Sequence, residues 1–194
     1  MPPYRIAVDI DEVLCPFVHT MAKWARRKVP KGKYPYDYAS MFKMDRKYAQ
    51  RMVYLFYQSK EFKEMKPLEL SRLYLNNIKK DTKKIYAVTG RQRICEHETI
   101  HWINNWYPGI FDDVILTDSY TQSEISKADV CKSLAISVII DDNYKTCVEC
   151  MDVGVNAVNY VGEPMYPWCM TSVISAKNWA EVDSKIKGGS NIYF

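Results

Sequence analysis

Five short apolar runs, at residues 5–10, 85–88, 114–116, 137–140 and 157–161, alternate with stretches whose apolar residues recur at helical spacing. Ile100, Ile103 and Tyr107 fall at i, i+3 and i+7; Val130, Cys131 and Leu134, then Cys147, Val148 and Met151, fall at i, i+1 and i+4. A strand buried on both faces reads as an unbroken apolar run, and a helix between two such strands is the connection that a parallel pair requires. The pattern predicts an α/β fold, a Rossmann-like three-layer α/β/α sandwich on a parallel sheet.

One interval breaks the alternation. Residues 15–80 are too long for a single crossover and hold no convincing strand, so they are expected to form a small helical cap inserted after the first strand. The α/β core is then expected from residues 1–14 and 81–187, with residues 188–194 as a flexible tail. The insert is rich in aromatic residues, among them Trp24, Tyr34, Tyr36, Tyr38, Phe56 and Tyr57. Most are needed for its own small core, and one or two are expected to face a substrate. A chain of 194 residues has room for one domain with such an insert.

Composition narrows the class. With 47% hydrophobic and 26% charged residues the chain is neither disordered nor fibrous. No apolar stretch approaches the roughly 20 residues needed to cross a bilayer, and the start of the chain lacks the basic and apolar regions of a secretion signal. Six scattered cysteines look like buried thiols rather than a disulfide framework. A cytoplasmic location and no membrane partner are expected.

The candidate chemistry lies where strands end. Asp9 and Asp11 sit where the first run ends and the loop begins, and Asp141 and Asp142 follow Val138-Ile139-Ile140. Ligands of open α/β sheets bind beyond the carboxyl ends of the strands. If these two strands are neighbours, three or four carboxylates converge, and their repulsion calls for a cation; hard oxygen ligands with room for water suit Mg²⁺. A third strand ends in Thr89-Gly90-Arg91, which offers a hydroxyl, an unobstructed N–H and a guanidinium for phosphate oxygens. Lys127, opening the helix before the last acidic strand, adds a fixed positive charge. In that order the groups describe a phosphate beside a metal. One carboxylate attacks phosphorus, and a second, two residues on, protonates the leaving oxygen and later activates water. Singly, each is ordinary, since an acidic pair at a strand end is more often a turn or a helix cap.

Together these segments resemble the motifs of the haloacid dehalogenase-like (HAD) hydrolase superfamily. Asp9-Ile10-Asp11-Glu12-Val13 resembles the first motif, Thr89 the second, Lys127 the third and Asp141-Asp142 the fourth, across nearly the whole chain. More narrowly, Phe56-Tyr57-Gln58-Ser59-Lys60-Glu61-Phe62 before Pro67, Val88-Thr89-Gly90-Arg91-Gln92, Ser126-Lys127-Ala128-Asp129-Val130-Cys131 and Tyr166-Pro167-Trp168 resemble the 5′(3′)-deoxyribonucleotidase-like branch, whose small helical cap follows the first motif. The resemblance implies a Mg²⁺-dependent phosphatase. Asp9 would be the nucleophile that forms an aspartyl-phosphate, and Asp11 the general acid and base, also giving the metal its backbone carbonyl. Asp141 would be the further metal ligand beside Asp9 and Asp11, with Asp142 in support. Thr89, Gly90 and Lys127 would hold the phosphoryl oxygens. Members that act on carbon–halogen bonds lack an acid at the position of Asp11, so ester hydrolysis is favoured.

The substrate expected from the resemblance is a small phosphate ester such as a (deoxy)nucleoside monophosphate. A terminal phosphate on a polynucleotide is the less favoured partner, prompted by the basic run at residues 23–33, and a non-catalytic phosphate- or partner-binding module is the alternative of another class. Glu12 stands where the nucleotidases usually carry Gly and is expected to point outward. His97-Glu98-Thr99-Ile100-His101 matches the H-E-x-x-H zinc pattern, but only His19 remains elsewhere, and both histidines are expected on a partly solvated face of a crossover helix. Cys147 and Cys150 form a C-x-x-C that is expected to be buried within a helix.

Overall fold

The computed structural model describes residues 4–170 and 173–188; the expected tail therefore lies, from residue 189 onward, outside the described residues. All five apolar runs form strands: β1 (Tyr4–Val8), β2 (Thr82–Thr89), β3 (Asp113–Leu116), β4 (Val138–Asp141) and β5 (Asn156–Tyr160). A sixth, β6 (Ser175–Ala176), is too short to show as an apolar run. The sheet is parallel throughout, in the order β3-β2-β1-β4-β5-β6.

Strand alternation divides the interior into two cores, one on each face of the sheet. Ile6, Val8 and Ile140 pack with Phe17, Trp102, Trp179 and Val182, while Ala7, Val88 and Ile139 pack with Cys131, Cys147 and Cys150. The helices α6 (Glu96–Trp106) and α9 (Trp179–Lys187) thus cover one face, and α7 (Lys127–Ser133) and α8 (Tyr144–Asp152) the other. This is the three-layer arrangement expected.

Within the segment that follows β1, four helices pack on one another: α1 (Phe17–Trp24), α2 (Tyr38–Met41), α3 (Arg46–Tyr57) and α4 (Lys60–Lys63). Their centre is an aromatic cluster in which Phe17 lies 5.2 Å from Phe56, and Phe62 lies 5.1 Å from Tyr57, between ring centroids. The next helix, α5 (Ser71–Lys79), packs instead on β2 and α9, with Leu75 and Ile78 buried. It is the helix that carries the chain back to the sheet.

The strand order positions the site. The chain leaves β1 toward β2 and β3 on one side and returns to place β4, β5 and β6 on the other, so the order reverses beside β1. Val8 pairs with Ile140, and the N–H of Asp9 donates to the carbonyl of Ile140 at 2.9 Å. Two strand ends that carry acidic residues therefore open into one crevice.

Candidate active site

Asp9 is the first residue beyond β1, and the chain then turns tightly. The N–H of Leu14 donates to the carbonyl of Ile10 at 2.8 Å, the N–H of Glu12 to that of Cys15 at 2.8 Å, and Glu12 takes a left-handed backbone at φ 63°. Glycine adopts that conformation freely, whereas other residues need to be held in it. Glu12 is held. Its carboxylate accepts the N–H of Val18 in the first turn of α1, and its carbonyl accepts the Tyr166 hydroxyl at 2.9 Å. It is 1% exposed, so the expectation that it points outward is corrected: the turn swings its side chain toward the N-terminus of α1, where unpaired N–H groups favour a carboxylate. Burial nonetheless pushes the carboxyl up to about 8, opposed by the Val18 N–H and reinforced by Asp11 and Asp9.

Across the crevice, two caps fix the remaining charges. Ser126 caps α7 by accepting the N–H of Asp129 at 3.0 Å, which leaves Lys127 as the first helical residue. Asn143 caps α8 through the N–H groups of Lys145 and Thr146, so Asp141, the last residue of β4, and Asp142 sit directly before that cap. Lys127 Nζ lies 2.8 Å from Asp9 Oδ1 and 2.7 Å from Asp141 Oδ2. Asp9, Asp141 and Asp142 bring carboxylate oxygens within 4.8 Å of one another. Asp142, expected only in support, is thus part of the cluster.

Three buried carboxylates meet one ammonium, and the imbalance shows in their proton affinities. Burial pushes the Asp9 carboxyl up to about 7, against the pull of Lys127 and with the help of Asp141 and Asp11. Burial, then Asp141 and Asp9, hold Asp142 well above the usual carboxylate range. For Lys127 burial works the other way, but Asp141 and Asp9 outweigh it and keep the ammonium charged. Asp9, Asp141 and Asp142 form a donor set of hard oxygens with an uncompensated charge, which fits a divalent cation such as Mg²⁺.

Asp11 lines the same cavity, but its carboxylate faces Arg91. Nη2 of Arg91 lies 2.7 Å from Oδ1, and Nε lies 3.1 Å from Oδ2, a two-pronged contact. Arg91 was expected to offer its guanidinium to phosphate. It is 2% exposed, and its other donors go to the Thr99 hydroxyl at 3.2 Å and the Cys15 thiol at 3.6 Å. The ring of Phe62 stands 4.8 Å from its guanidinium carbon, and the rings of Phe17 and Trp102 flank it. The aromatic cluster of α1 and α4 is what buries this cation, and it turns Arg91 into a clamp on Asp11.

Thr89 ends β2 fully buried, with its hydroxyl accepting the N–H of Arg91 at 3.2 Å. Gly90 lines the cavity beside Ser119, and a Cβ at Gly90 would lie 3.1 Å from the Ser119 hydroxyl oxygen. Ser119, also in the lining, was not singled out in the sequence; it stands three residues beyond the end of β3. Tyr36, Tyr38, Arg46, Gln50 and Tyr57 form the opposite wall, all from the segment after β1. No residue of the basic run at 23–33 lines this cavity.

The competing motifs lie elsewhere. His97 and His101 are exposed on α6 with ring centroids 6.5 Å apart, and among the described residues the group of three or more metal-type ligands is Asp9, Asp141 and Asp142. Cys147 and Cys150 are buried in α8, as expected.

The chain matches the model of the family described as "5′ nucleotidase, deoxy (Pyrimidine), cytosolic type C protein" over residues 4–187. It belongs to that family. It is accordingly a HAD-like phosphatase of the 5′-nucleotidase-like type. A search of curated protein sequences finds no match. Among solved structures, the fold is shared with a haloacid dehalogenase-like hydrolase from Streptococcus pneumoniae at 13% identity, covering 95% of this chain and 98% of that one with a TM-score of 0.67. It is shared with a protein described as a predicted phosphatase from Clostridium acetobutylicum at 14% identity, 96% and 99% coverage and a TM-score of 0.68. A HAD hydrolase from Bacillus subtilis, determined bound to magnesium, matches at 10% identity, 97% and 100% coverage and a TM-score of 0.66. No helix among the described residues is long and apolar enough to cross a membrane.

Proposed function

We propose that this phosphatase hydrolyses the monoester of a small nucleotide, a (deoxy)nucleoside monophosphate, through an aspartyl-phosphate on Asp9, with Mg²⁺ as cofactor. The observation that carries the reading is Lys127 bridging Asp9 and Asp141, with Asp142 alongside, at the open end of β1 and β4. Side chains of Asp9, Asp141 and Asp142, with the backbone carbonyl of Asp11, would hold the metal. When bound, it neutralises the converging carboxylates and the phosphoryl oxygens.

A carboxylate oxygen of Asp9 attacks phosphorus and the ester P–O bond breaks; Asp11 gives its proton to the departing oxygen. Asp11 then takes a proton from water, whose oxygen attacks phosphorus, releases phosphate and restores Asp9. The two-pronged contact with Arg91 suits the Asp11 carboxylate after its proton has gone to the leaving oxygen, and would hold it ready to act as the base in the second step. Lys127, the Gly90 N–H and the Thr89 hydroxyl are the groups assigned to the phosphoryl oxygens. In this reading the cap expected from residues 15–80 over the core of 1–14 and 81–187 narrows to the segment that holds α1–α4, since α5 packs on β2 and α9, and the wall that meets the rest of the substrate comes from α2, α3 and the loop before α2.

The nucleotide assignment is supported by the family description and by that wall, where Tyr36, Tyr38 and Tyr57 offer flat apolar faces and Gln50 an amide with both donor and acceptor. A polynucleotide is less favoured because no residue of the basic run that prompted it lines the cavity. The cytosolic type in the family description supports a cytoplasmic location. The test is a panel of nucleoside monophosphates, sugar phosphates and phosphorylated oligonucleotides assayed for Mg²⁺-dependent phosphate release. Deoxynucleoside monophosphates are expected to show the highest kcat/KM; a sugar phosphate or an oligonucleotide in first place would overturn the substrate reading.

A further inference from the structure

Asp142 has a partner that the proposed chemistry does not use. The indole N–H of Trp168 donates to Asp142 Oδ2 at 2.7 Å, and the thiol of Cys169 donates to the Asp142 carbonyl at 3.0 Å. An indole nitrogen is a donor only, so this contact can only fix a carboxylate oxygen as an acceptor. The segment is itself anchored: Tyr166 stacks on Trp168 at 5.1 Å, and its hydroxyl reaches the carbonyl of Glu12 in the turn after Asp11.

The other side of Trp168 meets the helical insert. Tyr36 packs against the indole edge-on at 4.8 Å and Tyr34 at 6.0 Å. The hydroxyl of Tyr36 lies 3.1 Å from that of Tyr38, and both residues line the active-site cavity. An unbroken series of contacts thus runs from the cavity wall through Tyr36 and Trp168 to a carboxylate of the acidic cluster. Mutating a group that orients a metal's ligand typically costs about 10- to 100-fold in metal affinity.

We propose that Trp168 is a positioning residue that acts through Asp142 on the divalent-cation site, and that its packing against Tyr36 ties metal affinity to the seating of the insert over the cavity. This rests on the metal-dependent reading of the acidic cluster. Mn²⁺ alone, followed by electron paramagnetic resonance, measures binding without turnover. Trp168→Phe keeps a ring and loses the N–H, and its Mn²⁺ dissociation constant is expected to rise about tenfold or more. In an Asp142→Ala background, which leaves the indole N–H no side-chain acceptor there, the same substitution is expected to add nothing, and Tyr36→Ala is expected to weaken binding in the wild-type chain but not beside Trp168→Phe.

Unchanged Mn²⁺ affinity in Trp168→Phe, or an equal loss in the Asp142→Ala background, would overturn the role of Trp168 while leaving the metal reading intact. Absence of Mn²⁺ binding in the wild-type chain would overturn both. Independently of any substitution, the indole ¹⁵N–¹H resonance of Trp168 is expected to shift when Mg²⁺ is added to the wild-type protein; a resonance that stays in place counts against the proposal.

Discussion

At the scale of single residues, the site is shaped by two side chains whose partners lie far along the chain or within a turn. Glu12 titrates in the folded protein at about 8, against an ordinary 4.5, because it is buried. Between those values the unfolded chain has released its proton and the folded chain still holds it, so the stability Glu12 contributes falls as pH rises from 4.5 toward 8. Glu12→Gln cannot ionise and can still accept the Val18 N–H. It is expected to melt ~4 °C or more above the wild type at pH 8.5, the shift that about 1–2 kcal/mol gives in a chain of this size, with the gap closing toward pH 4.5. A gap that is constant across this range would contradict the burial account.

Arg91 makes the second residue-scale prediction. Lysine cannot reproduce a two-pronged contact with Asp11 together with the bond to Thr99. Arg91→Lys is expected to lower kcat by about 10- to 100-fold, part of the 10²–10⁴ that a positioned acid and base supply, while Mn²⁺ affinity stays near the wild-type value. Loss of metal binding in this variant, with kcat restored by excess metal, would show that Arg91 serves the metal site instead. Neither role could be read from local sequence, because Asp11 and Arg91 are 80 residues apart and only the fold makes them neighbours.

At the scale of elements, α5 is the one whose packing separates the core from the insert. Leu75 of α5 is fully buried under β2 and α9, so Leu75→Ala is expected to cost about 2–5 kcal/mol in chemical denaturation. The exposed Leu73→Ala on the same helix is expected to change stability by less than about 0.5 kcal/mol. Equal effects would mean that α5 does not lie on the sheet. The strands were legible because burial on both faces leaves an unbroken apolar run, and the acidic residues were legible because they stand directly after those runs. β6 was not, since two residues make no pattern, and the place of α5 was not, since its amphipathic face suits a cap and a crossover equally. Trp168 was noticed only through a family likeness; its bond to Asp142 spans 26 residues and has no signature in spacing.

For the whole molecule, the topology brings two acidic strand ends together and the proposed function supplies the cation that makes their burial tolerable. Mg²⁺ is therefore expected to stabilise the protein by mass action, about 2.7 kcal/mol at a concentration one hundred times its Kd, and to raise Tm accordingly. Asp141→Asn is expected to lose most of that Mg²⁺-dependent shift, which a thermal melt with and without the ion would reveal. The most direct measurement is the fate of the phosphoryl group. On acid quench during turnover of a deoxynucleoside monophosphate with Mg²⁺, mass spectrometry is expected to find one phosphoryl group on the peptide bearing Asp9, and Asp9→Asn is expected to lose both the adduct and the activity. An adduct mapped to another residue, or turnover undiminished in Asp9→Asn, would contradict the account.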